Sequence, residues 1–214
     1  METVQLTREF LAKYPDFPEH MPELGRFVYY RTYSRWLPSE GRREVWKETV
    51  ARSVLYNVNL AVNHLTKLGY PVDLSYYQRE AEELFDAQFN LRQFLSGRTL
   101  WVGGAETGVA DKYPLANFNC SFVNISKWED LGDIFYLLMV GTGCGFKATK
   151  EMAHNLPPIR TDVNVIHSPY KPLPKEKRLE RTAIRILDNG YAKIYVGDSK
   201  EGKRLAPFAG NGGR

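Results

Sequence analysis

Cysteine is scarce in this sequence: among 214 residues there are two, Cys120 and Cys144. Two thiols are too few for a disulfide scaffold, so in a reducing compartment they are free cysteines. They cannot anchor a local four-ligand zinc site either, and His20, His64, His154 and His167 show no H-x-x-x-H spacing. Long apolar runs are also lacking. None approaches the roughly 20 residues of a bilayer span, and "METVQLTREFLAKYPDF" has no apolar signal core. A cytoplasmic chain with no membrane association is expected. Neither sign of charge dominates, since 29 Lys and Arg against 25 Asp and Glu give a net +4. Apart from "KPLPKEKRLER" at 171–181 the basic residues are dispersed. That pattern favours anionic ligands such as nucleotides and does not indicate direct nucleic-acid binding. What the chain does have is a 43% hydrophobic composition, enough for one large domain or two small ones.

No internal repeat or low-complexity tract interrupts the chain. By character it divides into a helical region 1–96, a glycine-punctuated, strand-bearing region 97–147, a proline- and charge-rich segment 148–202 and a tail 203–214. In residues 42–68, Trp46, Val50, Val54, Val58, Ala61, Leu65 and Leu68 recur at spacings of three and four, which predicts one face of a helix stopped by Gly69 and Pro71. A second, antiparallel helix is expected from Ser75, where Ser75-x-x-Gln78 has capping-box form, to about Leu95, with Tyr77, Ala81, Leu84, Leu91 and Leu95 inward. Further on, "NFNCSFVNIS" reads as a strand with Phe118, Cys120 and Phe122 on one face and Asn119, Ser121 and Val123 on the other. Ser126-x-x-Glu129 opens a helix with Trp128, Leu131, Phe135 and Leu138 inward, ending in "GTGCGFK". Strand, helix and glycine-rich ending fit an α/β unit. Pro157, Pro158, Pro169, Pro172 and Pro174 argue against long elements in the third region, where a short helix-like piece precedes "AKIYVGDSKEG". The last residues, "KRLAPFAGNGGR", read as an unstructured tail.

Singly, the chemistry-bearing residues have plain explanations. Gly141-x-Gly143-x-Gly145 follows a helix and is not the G-x-G-x-x-G dinucleotide fingerprint, although alternating glycines let backbone N–H groups approach an anion. Cys120 reads as a small core residue, Cys144 as a packing choice and "GDSKEG" as a turn.

Their order is more specific. "SGRTLWVGG", "NFNCSFVNI", "GTGCGFK" and "YVGDSKEG", in that sequence over residues 20–202, resemble the N-terminal part of the class II, adenosylcobalamin-dependent ribonucleotide reductases, in the monomeric triphosphate-using branch. The resemblance implies an α/β fold in which a helical N-terminal region leads into the first part of a ten-stranded α/β barrel. It places Cys120 on the first barrel strand as one half of the thiol pair that reduces the ribose. The cofactor implied is adenosylcobalamin, whose cobalt–carbon bond supplies a radical to a separate cysteine. Ser96, Arg98 and Thr99 become contacts for ribose or phosphate, Gly141, Gly143 and Gly145 lie beside the nucleotide, and Asn119 helps hold the pocket. Cys144 takes no redox role, because the family's second cysteine lies far downstream.

The same resemblance implies ribonucleoside triphosphates as substrates, a deoxynucleotide effector held by the 148–202 segment, and thioredoxin as reductant. The radical cysteine, the second reducing cysteine and most of the cofactor site are expected outside this chain, so a C-terminal polypeptide of the same enzyme is an expected partner. The match ends near Gly202, which fits a split gene, a premature end or the flank of an intervening element. An alternative from another class is a non-catalytic nucleotide-binding module using the glycine loop and the basic third region.

Overall fold

A computed structural model describes residues 3–158, 162, 164–168 and 173–205, in two compact units, 1–117 and 118–214. The first unit holds α1 (Arg8–Leu11), α2 (Glu23–Thr32), the hairpin β1 (Trp36–Leu37) and β2 (Arg42–Arg43), α3 (Trp46–Lys67), α4 (Leu74–Phe89), α5 (Gly97–Val102) and α6 (Val109–Lys112). Its core forms where α3 lays Trp46, Val50, Val54, Val58 and Val62 against Ala81, Phe85 and Phe89 of α4. The stripe steps by four throughout, so Val62 is buried where Ala61 was expected, and Leu68 ends 57% exposed. The α4 cap also differs from expectation. Asp73, two residues before Ser75, accepts the Ser75 and Tyr76 N–H groups, because its short carboxylate sits at the true helix boundary. The helix stops at Phe89 rather than Leu95, since the chain turns through a left-handed Leu91 at φ 60°.

Polar bonds tie the remaining segments to this pair. Trp46 Nε1 donates to the Phe89 carbonyl at 3.0 Å, and buried Gln88 donates to Ser53 at 3.2 Å. Val4 exchanges two bonds with the Asn59 amide, at 2.9 and 3.0 Å, as a neighbouring strand would. Tyr14 donates to Asp86 at 3.0 Å, and burial together with that carboxylate pushes its hydroxyl up to about 12. Residues 97–117 belong to this unit, since α5 packs on α3.

In the second unit β3 (Cys120–Val123), α7 (Glu129–Met139) and β4 (Gly143–Phe146) make a strand–helix–strand unit with parallel strands. The first α/β element of the chain therefore begins at Cys120. After α8 (Lys150–Asn155) come the antiparallel pair β5 (Ala183–Ile186) and β6 (Ala192–Tyr195) and then α9 (Lys200–Leu205). The helix-like piece expected before "AKIYVGDSKEG" is the strand β5, in which Ile184 and Ile186 recur two residues apart and which pairs with β6. Lys203–Leu205, expected in the tail, are helical, while the rest of the tail, Pro169, Pro172 and Lys171 lie outside the described residues.

"GDSKEG" is more than a turn. Ser199 donates to the Glu180 carbonyl at 2.5 Å and accepts from Gly202 N–H at 2.9 Å, while Thr182 accepts from Gly197 N–H and donates to the Gly202 carbonyl. Asp198 pairs with Lys203 and Arg178, and these cations hold its carboxyl below the usual range. A Cβ on Gly197 would meet the Glu180 carbonyl oxygen at 2.5 Å, backbone that cannot swing aside. Gly197→Ala is expected to open this knot selectively, with hydrogen exchange accelerating at residues 180–202 and unchanged in α3 and α4.

Candidate functional site

Register sets the geometry around Cys120. Cys120 lies opposite Gly143, Ser121 opposite Cys144, Phe122 opposite Gly145 and Val123 opposite Phe146. Facing residues share a side of the sheet, so Cys120, Phe122, Gly143 and Gly145 form one surface and Ser121, Val123, Cys144 and Phe146 the other. On the second side Ser121, Val123 and Cys144 are half-buried and Phe146 is exposed, and α7 contacts both strands. Among the described residues no helix of this unit covers the Cys120 side. Cys120 is exposed there, with Phe118 and Phe122 at 59% and 65% exposure. Cys120 and Phe122 share a face as the period-two reading has it, whereas Phe118 precedes the strand, and the thiol is not the buried core residue that its aromatic neighbours suggested.

The two glycines shape this surface. Neither places a side chain beside Cys120 or Phe122, and a Cβ at Gly145 would press on the Phe122 ring at 3.2 Å. At Gly143 it would come within 3.3 Å of the Asn119 carbonyl, which accepts the Gly143 N–H at 2.9 Å. Asn119 therefore contributes through its backbone, pinning the start of β4. Gly141, at φ 91°, makes the left-handed turn from α7 into β4. Cys120 and Cys144 are both free, and they stand on opposite faces of adjacent strands, an arrangement that cannot close into a disulfide without rebuilding the pair.

The α7 cap holds this unit together differently from the expected Ser126-x-x-Glu129 box. Asp130 accepts from Ser126 N–H at 2.7 Å, the Ser126 hydroxyl at 2.9 Å and Lys127 N–H at 3.0 Å. The helix is consequently rotated, with Asp130, Gly132 and Ile134 buried and Phe135 and Leu138 about half exposed. The Ser126 N–H bond, ahead of the other donors, holds the Asp130 carboxyl below its ordinary value. Such a depressed carboxylate stabilises the fold above its unfolded pKa of about 3.9 and loses that contribution as pH falls through the folded value. Asp130→Asn is expected to cost about 1 kcal/mol in urea melts at neutral pH, and the gap to wild type should close as the medium is acidified below pH 4 or so.

Ser96, Arg98 and Thr99 lie in the first unit, on α5. Ser96 is its N-cap, accepting the Thr99 N–H at 3.3 Å, with the two hydroxyls also 3.3 Å apart. Thr99 is buried, and the Arg98 guanidinium lies 5.2 Å from the Trp101 ring centre, a ring shared with Arg35 at 5.4 Å. Two hydroxyls expected to face a ligand thus also serve the helix that carries them. Sequence reasoning missed Glu44 and Arg52, a buried ion pair beneath α5. The available signal was an arginine inside the apolar run of α3, eight residues after a glutamate.

The chain is similar in sequence and fold to known proteins. A family model described as the ribonucleotide reductase alpha domain matches residues 6–105. An adenosylcobalamin-dependent ribonucleoside-triphosphate reductase of Levilactobacillus brevis is 32% identical over 76% of this chain and 24% of its own length. Its counterpart in Lacticaseibacillus paracasei is 33% identical with the same coverage. A solved structure of a B12-dependent class II ribonucleotide reductase superposes with a TM-score of 0.64 at 28% identity, over 75% of this chain and 25% of that one. The chain therefore spans about a quarter of the length of these relatives.

Proposed function

Because this chain matches, in sequence and fold, the N-terminal portion of the class II adenosylcobalamin-dependent ribonucleotide reductases, we propose that it supplies the first redox thiol of a ribonucleoside-triphosphate reductase and acts with a C-terminal polypeptide. The observation that carries this reading is the helix-free face of β3–β4, where Cys120 stands exposed opposite a glycine. A sugar needs that open space to reach the sulfur.

The chemistry assigned to Cys120 balances with a second thiol. The C2′–O bond of the ribose breaks and a C2′–H bond forms, while two S–H groups become one S–S bond and the oxygen leaves as water. The two thiols provide both electrons and both hydrogens. Cys144 faces the α7 side, so the second thiol comes from the companion polypeptide. The role of this chain's other residues is to position. Gly143 and Gly145 keep the surface opposite Cys120 and Phe122 clear, Asn119 anchors β4 through its carbonyl, and Ser96, Arg98 and Thr99 on α5 offer hydroxyl and guanidinium contacts to ribose or phosphate. Thioredoxin as final reductant and a deoxynucleotide effector at residues 148–202 complete the reading.

Adenosylcobalamin, the cofactor in the relatives' name, does not fit a site made by the described residues alone. The face of β3–β4 that carries Cys120 is exposed, and the cavity of about 530 Å³ in the first unit has the paired Glu44 and Arg52 in its lining.

The test is reconstitution. The chain is mixed with the remaining portion of a relative's reductase, adenosylcobalamin, a dithiol and ribonucleoside triphosphates, and deoxynucleotide is quantified. Product from the mixture and from neither part alone is the expected result. A mixture that associates yet forms no product overturns the reading.

A further inference from the structure

The Glu44 carboxylate is 3% exposed and fully engaged. Arg52 grips its two oxygens at 2.6 and 2.9 Å, the Thr49 hydroxyl donates at 2.8 Å and the Arg35 N–H at 3.1 Å. Arg52 has a second set of acceptors. Its Nη2 donates to the Leu100 carbonyl at 2.9 Å and its Nη1 to the Gly103 carbonyl at 2.5 Å, both at the end of α5. A guanidinium can serve both partners because its five N–H groups lie in one rigid fork, which a lysine ammonium does not reproduce.

The backbone is built to reach that fork. A Cβ on Gly103 would strike the Tyr56 ring and the Thr99 carbonyl at 2.8 Å, and one on Gly104, at φ 63°, would come within 3.2 Å of the Arg52 side chain and carbonyl. The paired glycines of "SGRTLWVGG" thus have a local cause. They leave room for the end of α5 to lie against α3, while Ser96 caps the first turn. Burying two charges is a poor way to gain stability, because an apolar pair of similar volume does as well or better. What the ion pair adds is a defined angle for a six-residue helix too short to hold one by itself.

We propose that Arg52, held by Glu44, is a positioning residue for Ser96, Arg98 and Thr99, orienting the helix that presents them to the nucleotide. This rests on the reading of that segment as a substrate contact. Arg52→Lys keeps a positive charge beside Glu44 and so preserves the fold, but it cannot hold both carbonyls and the carboxylate. In the isolated chain, amide exchange at Thr99, Leu100 and Gly103 should rise about tenfold or more with α4 amides unchanged. In the reconstituted enzyme, KM for the ribonucleoside triphosphate should rise about tenfold with kcat within about twofold, the pattern of lost binding rather than lost chemistry. Unchanged exchange at those amides overturns the positioning role. Faster exchange with an unchanged KM overturns its link to substrate. If the wild-type mixture is itself inactive, the failure belongs to the functional reading, and the exchange result still decides whether Arg52 positions α5.

Discussion

Cys120→Ser is expected to abolish deoxynucleotide formation in the reconstituted enzyme, whereas Cys144→Ala leaves it close to wild type. The serine variant retains size and hydrogen bonding but cannot surrender electrons by forming an S–S bond, so the loss should reach about three orders of magnitude or more, as for other residues that exchange bonds with a substrate. The fold should not suffer, because the Cys120 side chain is exposed. Equal unfolding midpoints for wild type and Cys120→Ser would separate chemistry from stability. Cys144 is a sharp internal control, one residue further along the ladder and on the opposite face. Product formation that survives Cys120→Ser, or that vanishes equally with Cys144→Ala, would remove Cys120 from its proposed role.

Glu44→Ala is expected to have the largest effect on stability, about 3–5 kcal/mol in denaturant unfolding of the first unit. The substitution leaves Arg52 uncompensated, with its side chain 11% exposed, and takes an acceptor from Thr49 and from the Arg35 N–H. Nearby, Arg42 grips Glu48 with a similar fork, at 2.6 and 2.8 Å, but in contact with water. Arg42→Ala should therefore cost far less than Glu44→Ala, since solvent replaces what the exposed pair loses. Similar losses for the two variants would show that burial of the Glu44–Arg52 pair does not govern its contribution.

Much of the helical unit was legible because apolar spacing is a strong signal. Trp46, Val50, Val54 and Val58 were identified from period alone, as was the shared face of Cys120 and Phe122. The helix caps were less legible. Asp73 and Asp130 displaced the Ser75 and Ser126 boxes, because several residues near a helix start can reach the same unpaired N–H groups and sequence spacing does not rank them. Exposure of Cys120 was invisible in the local pattern. A strand with aromatic neighbours looks the same whether its face is covered by its own unit or left open for another chain. Glu44, Arg52 and the Gly197–Gly202 knot depend on carbonyls far away in sequence, which no local motif encodes.

The parallel pairing of β3 and β4 also orders events during synthesis. An antiparallel hairpin such as β5–β6 closes over a short turn, but β4 cannot find β3 until α7 has been made and laid across the gap. The first unit draws its core from neighbouring helices, α3 and α4, and can condense while later residues are still emerging from the ribosome. The strand that carries Cys120 therefore waits, unpaired, for about twenty further residues to be translated. The thiol on which the proposed chemistry depends gains its fixed address late, and a pause in elongation over the α7 codons would lengthen the interval in which it is open to oxidation.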